Sequence, residues 1–251
     1  MIVKFDLDSN ELQRTVRIHM YLPDDYLVSG QDYPVLYMFD GHNLFFDEDA
    51  TFGRSWRMLN PLYALPHQII VVGVECAHTG NDRLIEYAPF PFYDPEFGGW
   101  LPAKGRQTME FMTRTLKPYV DHHFPTRPGR RYTWIAGSSC GGLMAIYGLT
   151  AYSSVFSKAA ALSPYVLPSY EHLLKQSYHA YLQHPASLFL SWGSDEGDTG
   201  HEFIMETKVL ADLTNILLKK GVRMELKVVP GGTHCEAEWE RLTPEFLRFL
   251  L

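Results

Sequence analysis

A pentapeptide at residues 137–141, Gly-Ser-Ser-Cys-Gly, has the G-x-S-x-G spacing of a nucleophilic serine on a sharp turn between a strand and a helix. Such a turn strains the backbone of the serine, so the residues two positions away must be small, as Gly137 and Gly141 are. The turn directs the Ser139 hydroxyl towards the first amides of the helix, where the amide of Cys140 would stabilise an oxyanion. The pattern predicts a serine nucleophile, and a turn that only packs well is the alternative.

A nucleophilic serine needs a general base, and the base needs an acid that orients it. His234 lies in a glycine-rich loop between a predicted strand at 223–231 and the last predicted helix. In hydrolases with the chain order Ser, acid, His, the base occupies such a loop. The chain has eleven histidines, and we predict that His234 is the base, with an inert loop residue as the alternative.

Three acidic residues follow the predicted strand at 186–193, where the orienting acid is expected. They are Asp195, Glu196 and Asp198, and periodicity does not choose among them. An alternative is that these acids cap the helix that begins near His201.

Hydrophobic runs that predict strands alternate with helical patterns through most of the chain. The predicted strands are 14–23, 33–40, 68–76, 131–137, 158–164, 186–193 and 223–231. The predicted helices are 106–124, 141–151, 201–221 and 236–251. This order predicts an α/β fold with a mostly parallel central sheet and helices on both faces. With no linker, repeat or low-complexity tract in the sequence, we predict one domain over residues 1–251.

The composition of the chain bears on whether the protein binds nucleic acids or membranes and on the cellular compartment in which we expect it. The 251 residues are 46% hydrophobic and carry a formal net charge of -7, which argues against nucleic-acid binding. The three cysteines give no disulfide framework. The sequence shows no signal peptide and no apolar run of membrane-span length, so we expect a cytoplasmic protein that does not bind membranes.

Five motifs in one order resemble an esterase family of the α/β-hydrolases. They are DGHNLF (40–45), RLIEYAP (83–89), GSSCGG (137–142), GSDEG (193–197) and GTHCEAEW (232–239). The family includes esterase-D-like enzymes, enterochelin-type esterases, and acetyl-xylan or feruloyl esterases, and the similarity covers roughly residues 14 to 250. The resemblance implies an α/β-hydrolase fold and a serine esterase. It also favours Glu196 as the acid, because relatives carry the acid fourth in a Gly-Thr-x-Asp or Gly-Thr-x-Glu pattern, although some enterochelin-type members work with a Ser–His dyad.

The loop after the predicted strand 33–40 is expected to supply the second oxyanion donor. Many hydrolases have His-Gly there, whereas this chain has Asp-Gly-His-Asn, as in the branch with DGxNLF that it resembles. Gly41 would allow the tight turn, and the amide of His42 or of Asn43 would face the oxyanion. We expect Asp40 to fix the loop.

The segment 87–105 is rich in aromatic residues and is predicted to be an irregular insertion. Its four prolines and three glycines argue against a regular element. Aromatic side chains in such a loop can form the wall of a binding pocket. We predict that the substrate-binding wall includes four aromatic residues: Phe45, Trp56, Tyr87 and Trp100. Packing over the core is the alternative.

The residues therefore predict a serine carboxylic-ester hydrolase acting on a small-molecule ester, without a cofactor. Two alternatives remain: an acyltransferase that uses the same residues, and a non-catalytic relative that binds a sugar or aryl ligand. No HExxH or His/Cys ligand spacing is present, so we expect no catalytic metal. Few cations lie near the aromatic segment, which favours a neutral ester. The sequence does not determine an oligomeric state.

Overall fold

A mostly parallel β-sheet forms the centre of the computed structural model, which describes residues 1–197 and 199–251. The strands are β1 (Ile2–Ser9), β2 (Arg14–Tyr21), β3 (Val35–Phe39), β4 (Ile70–Val74), β5 (Phe92–Asp94), β6 (Gly99–Leu101), β7 (Thr133–Ser138), β8 (Lys158–Leu162), β9 (Ser187–Gly193) and β10 (Arg223–Val229). Eight of them form the main sheet in the order β1-β2-β4-β3-β7-β8-β9-β10. β1 and β2 are antiparallel to their neighbours, and the other pairs are parallel. The predicted α/β fold is confirmed.

Helices cover both faces of this sheet. They are α1 (Leu59–Tyr63), α2 (Asp82–Glu86), α3 (Gly105–Glu110), α4 (Lys117–His123), α5 (Cys140–Ala151), α6 (Tyr170–His179), α7 (Gly200–Lys219) and α8 (Glu236–Leu250). A π-helical segment, Phe111–Leu116, joins α3 to α4. Within the described residues, no helix has both the length and the hydropathy needed to cross a bilayer.

Two hydrophobic cores lie on opposite faces of the sheet. β3 shows the division, because Tyr37 and Phe39 pack with α3–α7 while Leu36 and Met38 pack with α1 and α8. Successive side chains of a strand point to opposite faces, so a strand covered on both sides must be apolar throughout. This requirement explains why the buried strands appear in the sequence as continuous hydrophobic runs.

Several elements differ from the sequence prediction, and the short helices α1 and α2 are among those that we did not predict. The N-terminal segment Ile2–Ser9 is a strand at the edge of the sheet, although we predicted no strand there. The polar stretch Tyr170–His179 is a helix that buries Leu173. The aromatic segment is not wholly irregular, because β5 and β6 pair as a short antiparallel hairpin. Its prolines lie outside the paired residues, where they remove no sheet hydrogen bond.

The parallel strands end at a common edge, and this edge positions the candidate site. The loops after β3, β7, β8, β9 and β10 all begin there. In parallel α/β sheets, ligands bind outside the carboxyl ends of the strands. Residues that are far apart in the sequence therefore meet at this edge.

Candidate active site

Ser139 occupies a strained turn between β7 and α5. Its backbone angles are φ 54° and ψ −125°, outside the regions that non-glycine residues prefer. A Cβ on Gly137 would lie 2.6 Å from the carbonyl carbon of Gly141, so a side chain at 137 would force the turn apart. The spacing of glycines around the serine follows from this close approach.

The end of β8 holds the strained serine in place. The Ser139 N–H donates to Leu162 O at 3.0 Å, and the Tyr165 N–H donates to Ser139 O at 2.9 Å. Both backbone polar groups of Ser139 are therefore satisfied by the neighbouring strand end. This pairing offsets the cost of the unusual backbone conformation.

His234 is hydrogen-bonded to Glu196. The distance from His234 Nδ1 to Glu196 Oε2 is 3.0 Å, and the carboxylate is buried while the imidazole remains about one-third exposed. A carboxylate can only accept, so Nδ1 carries the proton and Nε2 keeps its lone pair. His234 is thus held in the tautomer that a general base requires.

The Glu196 carboxylate is held by two further donors. Its Oε1 accepts from the Ser163 hydroxyl at 2.7 Å and from the Gly193 N–H. The indole N–H of Trp239 donates to Ser163 Oγ at 3.0 Å, which orients that hydroxyl. Ser163 has φ 45°, a second strained residue directly after a strand of the same edge. These contacts leave Oε2 directed at His234.

Ser139 and His234 line the same cleft, which has a volume of about 550 Å³. The lining residues are Asp40, His42, Asn43, Thr51, Phe52, Arg83, Ser138, Ser139, His234, Cys235, Glu236 and Trp239. Within the described residues, no hydrogen bond joins Ser139 Oγ to His234; such bonds are often long when no substrate is bound.

Some backbone N–H groups near Ser139 already donate to other groups of the protein, whereas others are free to bind an oxyanion. Cys140 is the first residue of α5, so its N–H has no acceptor in a preceding helical turn. The Asn43 N–H donates to Asp40 O at 2.9 Å. For the His42 N–H, no hydrogen bond to another described residue is found. Of the two predicted candidates for the second donor, His42 therefore has the free amide.

Asp40 and Arg83 form a partly buried ion pair that lines the cleft. Both guanidinium contacts, from Nε and Nη2, are 2.8 Å long. Although burial opposes the charged carboxylate, the Arg83 guanidinium holds the pKa of Asp40 below its usual value. Asp40 has φ 56°, and its N–H donates to the hydroxyl of Tyr87 at 3.1 Å. The expectation that Asp40 fixes the loop agrees with these contacts.

Of the other two candidate acids, Asp195 makes no contact with His234 among the described residues, and Asp198 lies outside them. Asp195 is exposed and accepts from the neighbouring Ser194 hydroxyl at 2.9 Å. Asp198 is the one residue that the structure does not describe. The alternative role as a helix cap is filled by Thr199, whose side chain accepts from the Glu202 N–H at the start of α7.

The four aromatic residues predicted to form the pocket wall are not among the described residues that line the cleft. Phe45, Trp56 and Tyr87 are buried in the hydrophobic cores, whereas Trp100 is 74% exposed on β6. The large apolar rings of the first three are more stable inside the protein than in a solvent-filled wall. Phe52 and Trp239 line the cleft instead, which corrects this part of the sequence prediction.

Sequence analysis did not identify Ser163, whose hydroxyl donates to Glu196. Trp239 appeared there only as the last residue of the motif GTHCEAEW. Ser163 follows β8 directly, and a polar residue directly after a buried strand was the available signal. Arg83 likewise belonged to a motif, but its partner Asp40 lies 43 residues away in the chain. Both contacts exist only once the strand ends have been brought together.

A strained serine between a strand and a helix, beside a histidine–carboxylate pair at the carboxyl edge of a mostly parallel sheet, is the arrangement of the α/β-hydrolase fold class. A family profile described as "Putative esterase" matches residues 9–249. The chain belongs to this esterase family, which supports an esterase activity.

Individual relatives are more distant. The Bacillus subtilis (strain 168) protein described as "Uncharacterized protein YbbA" is 25% identical over 187 residues, which are 72% of this chain and 69% of that protein. An IroE-like serine hydrolase from Shewanella oneidensis has a TM-score of 0.76 at 20% identity, covering 98% of this chain and 80% of its own. A ferulic acid esterase has a TM-score of 0.73 at 17% identity, covering 100% and 97%. At these identities the solved structures show a shared fold.

Proposed function

We propose that the protein is a serine esterase that hydrolyses a carboxylic ester through an acyl-enzyme on Ser139. The observation that carries the proposal is the 3.0 Å contact between His234 Nδ1 and Glu196 Oε2, next to the strained Ser139. It leaves the Nε2 lone pair of His234 available as a general base in the cleft that Ser139 also lines.

The first half-reaction forms the acyl-enzyme. His234 Nε2 accepts the Ser139 proton while Oγ attacks the ester carbonyl carbon. The amides of Cys140 and His42 donate to the oxyanion of the tetrahedral intermediate, and donors already fixed in position stabilise the charge that develops there. Collapse breaks the bond to the alcohol oxygen, which leaves with the proton from His234.

The second half-reaction returns the enzyme to its starting state. Water loses a proton to His234 as it attacks the acyl carbon, and collapse returns the proton to Ser139 Oγ while the carboxylic acid is released. The exposed third of the His234 side chain lets water approach the base.

The charges of the cleft favour a neutral small-molecule ester. Arg83 is the one lysine or arginine among its described lining residues, and Asp40 already neutralises it in two hydrogen bonds. A polyanionic substrate would find no unpaired guanidinium or ammonium group there. The exposed ring of Phe52 and the Trp239 indole offer apolar surface for an uncharged aryl or sugar group.

Loss of Ser139 tests the proposal directly. Ser139→Ala should remain folded and lose nearly all activity on a panel of p-nitrophenyl, feruloyl and acetylated-sugar esters, because the nucleophile is gone while the turn is unchanged. A fluorophosphonate probe should label the wild type and Ser138→Ala, but not Ser139→Ala, as read by mass spectrometry. Labelling at Cys140, or turnover retained by Ser139→Ala, would show that another residue is the nucleophile.

A further inference from the structure

Three potential metal ligands meet on the outer side of the loop that follows β3. One nitrogen each of His42 and His78 and the sulfur of Cys76 lie within 4.8 Å of one another. His42 follows β3, whereas Cys76 and His78 follow the parallel neighbour β4. A Cβ on Gly41 would lie 2.5 Å from the carbonyl carbon of Gly73, and this close approach lets the two strand ends bring the three side chains together.

His42 has a buried ring nitrogen without a partner. The residue is 5% exposed, and within the described residues Nδ1 has no hydrogen bond. Its Nε2 lies 2.9 Å from Thr51 Oγ1. A buried polar atom that lacks a partner is costly, and a bound cation would remove that cost.

His78 is held in an orientation that suits a ligand. Its Nε2 donates to Glu75 Oε1 at 2.9 Å, which leaves the lone pair on Nδ1. Glu75 Oε2 accepts from His19 Nε2 at 2.7 Å. Metal-ligating histidines commonly have a carboxylate on their second nitrogen, which fixes the tautomer and orients the ring.

We propose that this cluster binds one zinc-like divalent cation through His42 Nδ1, Cys76 Sγ and His78 Nδ1. The N₂S donor set suits Zn²⁺ and related borderline metals, whereas Mg²⁺ and Ca²⁺ prefer oxygen ligands. The fourth position would be open to water from an adjoining cleft of about 480 Å³, which is lined by His42, His78, Glu48 and Asp49 among others.

Binding of the cation requires Cys76 to lose its proton. Cys76 is a buried free cysteine, and the thiolate is the form of its side chain that binds metals. The metal therefore displaces the thiol proton, which leaves to solvent as the metal–sulfur bond forms. Mg²⁺ does not bind thiolate well enough to do this, so it serves as a control ion.

The cation would fasten the loop without entering the proposed reaction. His42 lines both the active-site cleft and the adjoining one, so an ion bound to its ring would hold the same loop that lines the active-site cleft. The ion would therefore have a structural role: it would hold the loop that carries the His42 amide, the proposed oxyanion donor, and it would take no part in the bond changes at Ser139. The occupancy of the metal site is measurable without any substrate.

Metal titration of the chelator-treated protein tests the proposal. Co²⁺ should bind at one ion per chain with a thiolate-to-cobalt charge-transfer absorption, Zn²⁺ should displace it, and Mg²⁺ should not. Cys76→Ser should lose the absorption, and His78→Gln should weaken Zn²⁺ binding at least tenfold. The matched controls Cys235→Ser and His179→Gln should keep the absorption and the affinity.

If Cys76→Ser does not fold, the variant His78→Gln still tests the proposal, because His78 is half-exposed and its replacement does not disturb the core. His78→Gln removes a ligand from the surface side, and its folding can be checked by circular dichroism. Zn²⁺ should also raise the Tm of the wild type, but not that of His78→Gln, because an ion that binds the folded state stabilises it. Absence of stoichiometric Co²⁺ uptake, or uptake unchanged in His78→Gln, would overturn the proposal.

Discussion

The Glu196 carboxylate has each of its oxygens engaged, and this fixes the direction in which it acts. Oε1 takes the Ser163 hydroxyl and the Gly193 N–H, so Oε2 remains for His234. Hydrogen bonds to an ionised acceptor are stronger than neutral ones, so the carboxylate is held rigidly. Ser163, in turn, is oriented by Trp239. The function of Glu196 therefore depends on its charge as well as its position.

Glu196→Gln tests this role at the level of one functional group. The glutamine retains the size of the side chain, but it cannot stabilise the charged imidazole, and its NH₂ group conflicts with one of the donors. We expect kcat/KM for an ester substrate to fall by about 10²–10⁴ while the fold is retained.

The neighbouring acid provides the matched control. Asp195→Asn lies one residue away on the exposed side and should change kcat/KM by less than about threefold, as surface substitutions usually do little. If Asp195→Asn proves as damaging as Glu196→Gln, the assignment of the acid is wrong. Equal activity of both variants and the wild type would favour a Ser–His dyad.

At the scale of elements, the turn between β7 and α5 works because two backbone segments touch. Gly137 has no room for a methyl group, since the nearest backbone carbon of Gly141 would be 2.6 Å away. Gly141 itself is pressed against Phe39, where a Cβ would lie 2.9 Å from the Phe39 Cβ. The position of Ser139 therefore depends on contact among β3, β7 and α5.

Gly137→Ala should destabilise the protein by about 2–3 kcal/mol, because the added methyl group overpacks the turn against backbone atoms that cannot move aside. Esterase activity should fall along with stability as the turn opens. The measurement is urea unfolding of the variant and the wild type, followed by circular dichroism. Gly129→Ala is the control, because a Cβ there has no heavy atom within 4 Å, and we expect a change below about 0.5 kcal/mol. Equal effects of the two substitutions would contradict the steric explanation.

The local pattern of apolar and polar residues correctly predicted the helices and strands whose burial is uniform along their length. The central strands of the sheet are buried on both faces, so their continuous apolar runs were enough to predict them. The turn at Ser139 was predicted from the G-x-S-x-G spacing. The first strand was missed although Val3, Phe5 and Leu7 alternate with polar residues, which is the pattern of a half-buried strand. Helix α6 was missed because it buries few of its residues.

The parts of the site that were not predictable depend on tertiary contacts. The choice of His42 over Asn43 rests on one backbone hydrogen bond from Asn43 to Asp40. Whether Phe45 or Phe52 reaches the cleft is decided by packing, because both residues are the same type. The proposed metal-ligand cluster joins His42 to a Cys-x-His sequence that follows a different strand, so no local spacing reveals it.

At the scale of the whole molecule, helix α7 brings a second, partly buried carboxyl group, that of Glu206, towards the site. Burial, with a further contribution from the Glu196 charge, raises the pKa of Glu206 to about 7, and His234 opposes the shift. In the unfolded chain a glutamate ionises near pH ~4.3. Between these two values the unfolded state loses its proton first, so the free energy of unfolding falls as the pH rises and stays reduced above pH ~7.

Glu206→Gln should remove this pH-dependent cost because glutamine carries no charge. We expect the variant to be more stable than the wild type at pH 8, by about 1–3 kcal/mol, and close to it at pH 4. Urea unfolding across this pH range measures the difference. Glu171→Gln, at an exposed position on α6, should show a difference from the wild type that does not vary with pH. Parallel stability profiles for the wild type and Glu206→Gln would contradict the prediction.

The edge-on contact between Trp239 and His234 gives the protein a built-in optical signal. The ring centroids are 5.2 Å apart, and the planes meet at 85°. Indole emission is quenched on contact by a protonated imidazole, so the fluorescence of Trp239 should respond to the charge of His234 and to a molecule that enters the cleft. The difference between the wild type and Trp239→Phe would separate this emission from that of the other tryptophans. Binding and acylation could then be followed in a stopped-flow instrument with unlabelled esters, which bear no chromophore of their own.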